Sequence, residues 1–445
     1  MMKKLLLSAL LLCISSEARC EFPESLRRTL DSMIRESLHE KAFPGASLAI
    51  GNRDGILYAR QYGTHDYSGG CPVSERSLFD LASCTKVLSV TFVAMRLYDE
   101  GRIHVLDPTG KYLPELSETP IGDISLRELL THTSGLPPQV LYTPLVRNAE
   151  GGRMFSNKKS EAYPYRVGTD YYVAHHVAFD TLLLSRTPQA GWRQGADRLY
   201  VNPAVDTLLL RQIAGAYKPD RRGSYSYSDS NFLLLKMILE RVSGRSLDAL
   251  TEELFAELGC ENTCYNPLQC HDKGDCMPTE TDHILDRQTV QGYVHDELAA
   301  LMGGVGGNAG LFSTAEDVAR FCQMTLNGGR HADRQIVSSK TLDLFVSSPY
   351  AKENIWRGLG FDKRNPETDP LGGRQCFGHT GFTGTIFWID AEAGIYMVLL
   401  TNAVHPTRLN NKLSSSRLRT RIWETLKPYY PALAARGSAE RDGCD

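Results

Sequence analysis

A serine and a lysine lie three residues apart at the start of a long apolar stretch, "LFDLASCTKVLSVTFVAMRLYDEG" (78–101). On a helix, Ser83 and Lys86 would share one face. The positive end of the helix dipole would favour an alkoxide on Ser83, and burial in an apolar wall would lower the pKa of Lys86 until it can act as a base. This arrangement is typical of the activated nucleophile of acyl-transfer enzymes.

The spacing alone does not single out Ser83, because Ser156 and Lys159 form a second S-x-x-K pair. That pair lies in the polar stretch "FSNKKSEAY" with no apolar helix around it, so we interpret it as chance. We interpret Cys84, between the two candidate residues, as a small packing residue rather than a reactive thiol. His132 has no carboxylate or cysteine at ligand spacing and is interpreted as structural or surface.

A second polar group precedes an apolar helical pattern in "YSYSDSNFLLLKMILERVSG" (225–244). Tyr227 could relay a proton to a leaving group if a nearby cation lowers its pKa. The plainer interpretation is an N-cap by Ser228 or Asp229, with Tyr227 packed beside it.

A third group occurs in "FGHTGFTGTIFWID" (377–390), where His379, Thr380 and Gly381 are expected to open a β-strand. Glycine at this position would let a substrate lie against the strand edge, with the histidine and threonine pointing into a cleft. The plainer interpretation is a turn before a strand.

These motifs, in this order, resemble the S-x-x-K, Y-x-[ND] and [KH]-T-G pattern of the serine β-lactamase and penicillin-binding-protein superfamily. The sequences around these motifs are most similar to those of the class C β-lactamase-related branch of serine hydrolases, in particular its periplasmic D-alanyl-D-alanine carboxypeptidase-like members. The similar sequence segments are "LFDLASCTK", "LLTHTSGLP" (129–137), "YSDSNFLLL", "VHDELAALMGGVGGNAGLFST" (294–314) and "FGHTGFTGTIFWID". The resemblance runs from about residue 25 to 427.

The resemblance implies a role for each catalytic position. Ser83 would be the acylated nucleophile, and Lys86 would take its proton. Tyr227 would pass that proton to the leaving group and later activate the deacylating water. The oxyanion hole would be formed by the backbone N–H groups of Ser83 and Phe382. No cofactor is implied.

The resemblance also implies that Asp229, His379, Thr380 and Gly381 bind substrate. Two of these depart from efficient β-lactamases, which carry an asparagine at position 229 and a lysine at position 379. A neutral histidine binds a carboxylate less well than a fixed cation, and an anionic Asp229 would repel it. We therefore expect acyl transfer without efficient β-lactam hydrolysis, and a gain with penicillin for His379→Lys and Asp229→Asn.

The elements that must position these groups indicate an α+β fold. Apolar patterns predict a helix over 23–43, hairpins over 45–63 and 384–402, and a closing helix over 409–430. The two hairpins are expected to form one antiparallel sheet, with the two helices packed on it. The β-lactamase/transpeptidase-like sheet domain is assigned to residues 22–80 and 300–430. Residues 81–299 are predicted to form an inserted, mostly helical domain, with the active site at the seam.

The net charge argues against a nucleic-acid-binding function, and the cysteine spacing bears on disulfides and metal binding. The 445-residue chain has a net charge of −3 and a pI near 6.5, so no nucleic-acid partner is expected. Cys260, Cys264, Cys270 and Cys276 lie close together beside His271. In an exported chain this favours at least one disulfide, with free thiols or a metal as alternatives. The spacing matches no zinc module, and no metal is predicted.

The first residues, "MMKKLLLSALLLCISSEARCE", predict a signal peptide over 1–18. The alternatives are an uncleaved anchor or lipidation, so membrane association is expected only through such a segment. The protein is expected to be exported and periplasmic or associated with the cell envelope. The tail, 431–445, is small and polar and is predicted to be disordered.

The favoured function is that of a serine hydrolase acting through an acyl-enzyme on D-Ala-D-Ala-type cell-wall peptides, with β-lactams as covalent mimics. A carboxylesterase or weak class C-like β-lactamase is the alternative within enzymes. A catalytically degenerate cell-wall-binding protein is the alternative from another class, and the intact Ser83, Lys86 and Tyr227 argue against it.

Overall fold

The computed structural model describes residues 22–434, so the predicted signal peptide lies outside the described range. Its centre is a five-stranded antiparallel sheet in which strands from both ends of the chain are neighbours. In spatial order the strands are Cys376–Thr380, Ile386–Asp390, Ile395–Thr401, Gly45–Asn52 and Gly55–Gly63. The predicted α+β class is confirmed, and the two predicted hairpins belong to one sheet.

Both faces of this central sheet are covered. Every residue of the strand Gly45–Asn52 is buried, as expected for a strand with packed layers on both sides. Leu48 and Ile50 contact one core and Ala49, between them, contacts the other. The side chain of Asn52 accepts a hydrogen bond from the N–H of Asp54 at 2.8 Å, which forms the tight turn to the next strand.

The outer face packs against helices from both chain ends. Leu26, Leu30 and Ile34 follow one another at one-turn spacing on the helix Glu24–His39 and are fully buried. They share a core with Trp423 and its neighbours. The predicted closing helix over 409–430 is present as two pieces, Lys412–Ser415 and Leu418–Leu426.

The predicted disorder of the tail is wrong for its first residues. Residues 431–434 belong to a helix, Tyr430–Ala434, in which Leu433 is buried and its carbonyl accepts a hydrogen bond from Asn52 at 2.8 Å. Residues 435–445 lie outside the described range. Within residues 22–434, no helix has the length and hydrophobicity needed to cross a bilayer.

The inner face carries the helix Ala315–Leu326 and, beyond it, the helices of the middle of the chain. Asp229–Ser243 is a buried helix that ends at Gly244, whose φ of 72° is the left-handed conformation expected after a helix C-terminus. The other α-helices are Phe92–Asp99, Thr109–Tyr112, Leu126–Leu130, Ala204–Gly215, Leu247–Glu257, Glu297–Leu301 and Ser339–Val346.

The prediction of a mostly helical middle is wrong for one long segment. Between residues 146 and 201 the chain forms short antiparallel strands. The strands are Val146–Asn148, Phe155–Ser156, Tyr165–Gly168, Tyr171–Val173, Val177–Phe179, Leu184–Ser185, Arg193–Ala196 and Leu199–Val201. Further short hairpins are formed by Thr281–Asp282 with Gln288–Thr289 and by Arg330–His331 with Arg334–Gln335. The assignment of 22–80 with 300–430 as one domain and 81–299 as another stays a prediction.

A small three-stranded sheet leads into the site. Its strands are Cys264–Tyr265, Leu311–Ser313 and Phe79–Asp80, in that spatial order.

The predicted disulfide is not formed. All eight cysteines within residues 22–434 are free. The Sγ atoms of Cys264 and Cys270 lie 3.9 Å apart, whereas a disulfide needs about 2.05 Å. Cys260 and Cys276 point their sulfurs at the backbone carbonyls of Asp317 and Asp272, so neither faces a partner.

Candidate active site

Ser83 lies in a short helical turn directly after the strand Phe79–Asp80. The predicted position at the start of a helix is correct, but the helix is not a continuous α-helix. The turn containing Ser83 is 3₁₀, the next one is a π-helical turn, and regular α geometry follows; these segments are Ala82–Cys84, Lys86–Thr91 and Phe92–Asp99. π-turns inside helices often occur at functional sites.

The turn is held from two sides. Ala82 has a φ of 46°, a strained value for a residue with a side chain. The carboxylate of Asp80 accepts hydrogen bonds from the N–H of Ala82 at 2.8 Å and from the N–H of His295 at 2.7 Å. Thr383 donates to the carbonyl of Asp80 at 2.7 Å. The backbone position of Ser83 is therefore fixed by buried neighbours.

Lys86 is fully buried and its Nζ has three oxygen neighbours. Ser83 Oγ lies at 3.1 Å, Asp229 Oδ1 at 2.7 Å and the carbonyl of Asn308 at 3.0 Å. Burial alone would lower the pKa of Lys86, but the negative charge of Asp229, together with the interaction with Tyr227, outweighs it and raises the pKa. The prediction of a lysine with a lowered pKa is therefore wrong, because its counter-ion is Asp229.

Tyr227 closes the other side of Ser83. Its ring centroid lies 5.0 Å from Lys86 Nζ and 4.5 Å from the ring of His132. Burial raises the pKa of Tyr227, and the ammonium group of Lys86 opposes this only in part, so the condition set for proton relay, a pKa lowered by a nearby cation, is not met in the resting site.

His132 is a buried structural residue beneath the site, as one of the two interpretations predicted. Its Nδ1 accepts hydrogen bonds from the N–H of Ser228 at 3.0 Å and from Asn231 at 3.2 Å. The ring therefore carries its proton on Nε2, and burial with neighbouring positive charge holds the pKa of His132 well below its usual range. Ser228 donates its hydroxyl to the carbonyl of Pro137 at 2.6 Å instead of capping the following helix.

His379 and Thr380 end a strand, Cys376–Thr380, rather than opening one as predicted. Nδ1 of His379 lies 2.7 Å from the carbonyl of Thr380 and donates to it, which leaves Nε2 as an acceptor 3.4 Å from Nη2 of Arg357. Burial and the positive charge of Arg357 hold the pKa of His379 well below its usual range. His379 therefore has the expected neutral imidazole, and the permanently charged guanidinium group of Arg357 lies next to it.

Gly381 lets the turn after this strand approach Ser83. A Cβ at Gly381 would lie 2.1 Å from Thr385 Oγ1 and 2.4 Å from the carbonyl of Leu81, so only glycine fits. Cys84 packs in the same contact, with its Sγ 3.4 Å from the carbonyl of His379. Burial raises the pKa of Cys84 to about 12, which agrees with a packing role.

A cavity of about 490 Å³ is lined by most of the predicted site residues, but not by Lys86 or Asp229. Ser83, Tyr227, His379, Thr380 and Phe382 all line it. Phe382 is 59% exposed at its edge. The lining also contains four arginines that the sequence motifs did not indicate, Arg357, Arg364, Arg408 and Arg419.

These arginines differ in their partners. Asp362 pairs with Arg357 at 2.8 Å and with Arg364 at 2.7 Å. Arg408 pairs with the carboxylates of Glu280 and Glu297. Among the described residues, no carboxylate lies within 4.0 Å of the Arg419 guanidinium, and burial lowers the pKa of Arg419. It is therefore the best placed of the four to receive a negative group of a substrate.

A second cavity, of about 210 Å³, lies beside Asp229. The strands between residues 146 and 201 supply part of its wall, including Phe155 and Tyr171, whose rings stack at 4.7 Å. Asp229 and Arg408 also line it, and Arg408 lines the first cavity as well.

The second S-x-x-K pair is not part of either cavity. Ser156 Oγ contacts the backbone of Lys158 at 3.0 Å, and Lys159 is exposed. The interpretation of this pair as chance is consistent with its position.

The sequence model of the Beta-lactamase family matches residues 30–419. An N-acetylmuramyl-L-alanine amidase of Bacillus subtilis (strain 168) is 30% identical over 86% of this chain and 82% of its own length. A protein of Escherichia coli (strain K12), provisionally named D-alanyl-D-alanine carboxypeptidase, is 28% identical over 91% of this chain and 89% of its own. The D-alanine carboxypeptidase AmpC of Burkholderia cenocepacia has a similar structure, with a TM-score of 0.57 at 19% identity over 88% of this chain and 99% of that chain.

Proposed function

This chain belongs to the Beta-lactamase family, and from that premise we propose that it is an exported serine hydrolase that acts through an acyl-enzyme on Ser83. The favoured substrate is a cell-wall peptide that ends in D-alanyl-D-alanine. The observation that carries this proposal is the fully buried Lys86, whose Nζ lies 3.1 Å from Ser83 Oγ at the base of an open cavity. Burying an ammonium group costs free energy, and here the buried ammonium group lies within hydrogen-bond distance of the Ser83 hydroxyl group.

Acylation requires Lys86 to become a base. In the resting site it is an ammonium ion, so it must first give one proton to Asp229, whose Oδ1 lies 2.7 Å away. A substrate that displaces water from the cavity favours this transfer, because a dry environment disfavours both charges. Neutral Lys86 then takes the proton of Ser83 as Oγ bonds to the substrate carbonyl carbon.

Charge on the carbonyl oxygen would be stabilised by the backbone N–H groups of Ser83 and Phe382. Both residues line the cavity. Removing one such donor typically raises the barrier by about 3 kcal/mol. Tyr227 is placed to donate its phenolic proton to the leaving amine, and as a phenolate beside a cation it would then take a proton from the deacylating water.

The arginines favour a substrate that carries a carboxylate. D-alanine leaves with a free carboxylate, and Arg419 offers a half-buried cation without a carboxylate partner in the described part of the chain. Arg357 adds a fixed charge behind the neutral His379. Arg419 would supply the charge that a lysine would give at position 379, whereas Arg357 contributes less because Asp362 already pairs with it at 2.8 Å.

A second candidate is hydrolysis of the bond between N-acetylmuramic acid and L-alanine. The Bacillus subtilis relative is named for this activity. The second cavity supports it, because aromatic rings such as Phe155 and Tyr171 suit the apolar face of a sugar, and Asp229, the partner of Lys86, lines this cavity. Both candidates use the same acyl-enzyme chemistry, but they differ in the acyl group that Ser83 would carry and in the amine that leaves.

Product analysis distinguishes the two candidates. The purified protein is incubated with a pentapeptide ending in D-alanyl-D-alanine and, separately, with an N-acetylmuramyl-L-alanine peptide. Release of D-alanine supports the carboxypeptidase, and a peptide with a new L-alanine amino terminus supports the amidase. Ser83→Ala should abolish either product and Ser156→Ala should abolish neither.

Arg419→Gln tests the carboxylate site. It should raise KM for the D-alanyl-D-alanine peptide about tenfold or more and leave hydrolysis of a neutral ester unchanged. Turnover of neutral esters alone, with neither peptide cleaved, would favour the carboxylesterase alternative and contradict both candidates.

A further inference from the structure

A cluster of two thiols and an imidazole lies outside both cavities. The candidate ligand atoms of Cys264, Cys270 and His271 are all within 4.8 Å of one another. Their sequence spacing matches no familiar zinc module, and it is the fold of the intervening loop that brings them together. The cluster does not line either of the cavities described above.

The backbone presents these groups in a defined way. Cys264 lies on the strand Cys264–Tyr265 and is held there by pairing with the neighbouring strand. Asn266 adopts a left-handed φ of 44°, and Pro267 begins a 3₁₀ turn. The carbonyl of Pro267 accepts hydrogen bonds from the N–H groups of both Cys270, at 3.0 Å, and His271, at 2.7 Å. The loop therefore returns both side chains to the strand that carries Cys264.

The distance between the two sulfurs distinguishes the possible states of the cluster. The Sγ atoms of Cys264 and Cys270 are 3.9 Å apart. A disulfide would need about 2.05 Å. Two thiolates bound to one tetrahedral zinc ion, with Zn–S bonds of about 2.3 Å, lie about 3.8 Å apart. The observed separation corresponds to the edge of such a tetrahedron.

We propose that Cys264, Cys270 and His271 bind one thiophilic divalent cation, Zn²⁺, with the fourth position taken by water. Two cysteines and a histidine are typical zinc ligands, and soft thiolates disfavour Mg²⁺ and Ca²⁺. Neither the family nor the proposed catalytic function requires this ion, so the inference is independent of both.

The ion would act on the structure rather than on the reaction. The strand of Cys264 pairs with Leu311–Ser313, which pairs in turn with Phe79–Asp80, the strand that leads directly to Ser83. The far end of the same loop is also tied to this region, because the N–H of Leu78 donates to the carbonyl of Asp275 at 2.8 Å. Metal binding would clamp the loop onto the small sheet and stabilise it.

The test is a Zn²⁺ titration of the full chain after reduction and removal of metal. Native mass spectrometry should find one zinc ion per chain, and the thermal midpoint should rise with added zinc. Cd²⁺ should produce thiolate-to-metal charge-transfer absorption. Cys270→Ser and His271→Ala should each weaken zinc binding about tenfold or more, because each removes a direct ligand. Both side chains lie away from the core, so these variants should fold.

Cys260→Ser is the matched control, since Cys260 lies in the same segment but its Sγ faces the carbonyl of Asp317. It should bind zinc like the wild type. The proposal is overturned if the reduced protein does not bind zinc, or if Cys270→Ser binds it as tightly as the wild type. It is also overturned if thiol counting on unreduced, denatured protein shows Cys264 and Cys270 joined in a disulfide.

Discussion

Replacing Asp229 with asparagine should change both the stability of the protein and the pH dependence of its acylation. Asp229 Oδ1 lies 2.7 Å from Lys86 Nζ, and the lysine side chain is 0% exposed. Asparagine keeps the size of the side chain and removes its charge. The ammonium group would then be buried without its counter-ion, and burial would lower the pKa of Lys86.

The expected loss of stability follows from this burial. Removing one partner of a buried ion pair typically costs about 3–5 kcal/mol, and we expect about 3 kcal/mol at pH 7 because the Asp229 side chain is partly exposed. In the wild type the pKa of Lys86 is raised above 10.5, so the ion pair contributes fully below pH 10.5. In the variant, Lys86 can lose its proton and become neutral, and the free-energy cost of this deprotonation falls as the pH rises. The difference between the two proteins should therefore shrink as the pH approaches 10.5.

Two assays check this reasoning. Denaturant unfolding at several pH values measures the stability difference, and acylation by an activated ester and by penicillin measures the pH profile. Acylation by both substrates should reach its plateau at a lower pH in Asp229→Asn. Asp206→Asn is the control, since its pair with Arg193 is about one-third exposed and solvent screening keeps its contribution to about 1 kcal/mol. Unchanged stability and an unchanged profile would refute the ion-pair reasoning, and a gain with penicillin alone would favour charge repulsion instead.

Three further variants test the neighbouring groups. The gain with penicillin expected from the sequence for His379→Lys is not expected from the structure, because Arg357 Nη2 is already 3.4 Å from the imidazole and would repel a second cation. This variant should instead lose about 1–3 kcal/mol of unfolding free energy in a denaturant titration and show no selective gain with penicillin; a tenfold gain in penicillin acylation would contradict this. Tyr227→Phe should slow acylation by a peptide about 10²–10⁴-fold in single-turnover measurements and affect an activated ester far less; equal losses would argue against proton donation to the leaving group. Gly381→Ala should lower the free energy of unfolding by about 1–3 kcal/mol, because its Cβ would meet the carbonyl of Leu81 at 2.4 Å; wild-type stability and activity would mean that this contact is not needed.

The sequence predicted those features that local patterns determine. In hairpins such as 45–63, turn residues separate strands whose apolar residues either alternate with polar ones or follow one another without a break. In the helix at 24–39, leucines recur at one-turn spacing. The three motifs predicted that Ser83, Lys86 and Tyr227 form one site, and the fold brings these three residues together. Each of these features is encoded within a few residues of the chain.

Features that depend on contacts between distant segments were missed. The lysine pKa was predicted with the wrong sign because Asp229, 143 positions away in the chain, supplies its counter-ion. Arg357 and Arg419 carry no motif and reach the cavity only through the fold. The strands between 146 and 201 are too short and too irregular for a clear period-2 pattern, so they were mistaken for part of a helical region.

The central claim is that Ser83 forms a covalent acyl-enzyme. Intact-mass measurement of the protein after exposure to a penicillin, an activated ester and a D-alanyl-D-alanine peptide tests it most directly, with peptide mapping to locate the modified residue. We predict one adduct per chain on Ser83 with at least one of these reagents, and none in a folded Ser83→Ala variant. An adduct on Ser156, or an adduct that persists in Ser83→Ala, would contradict the account.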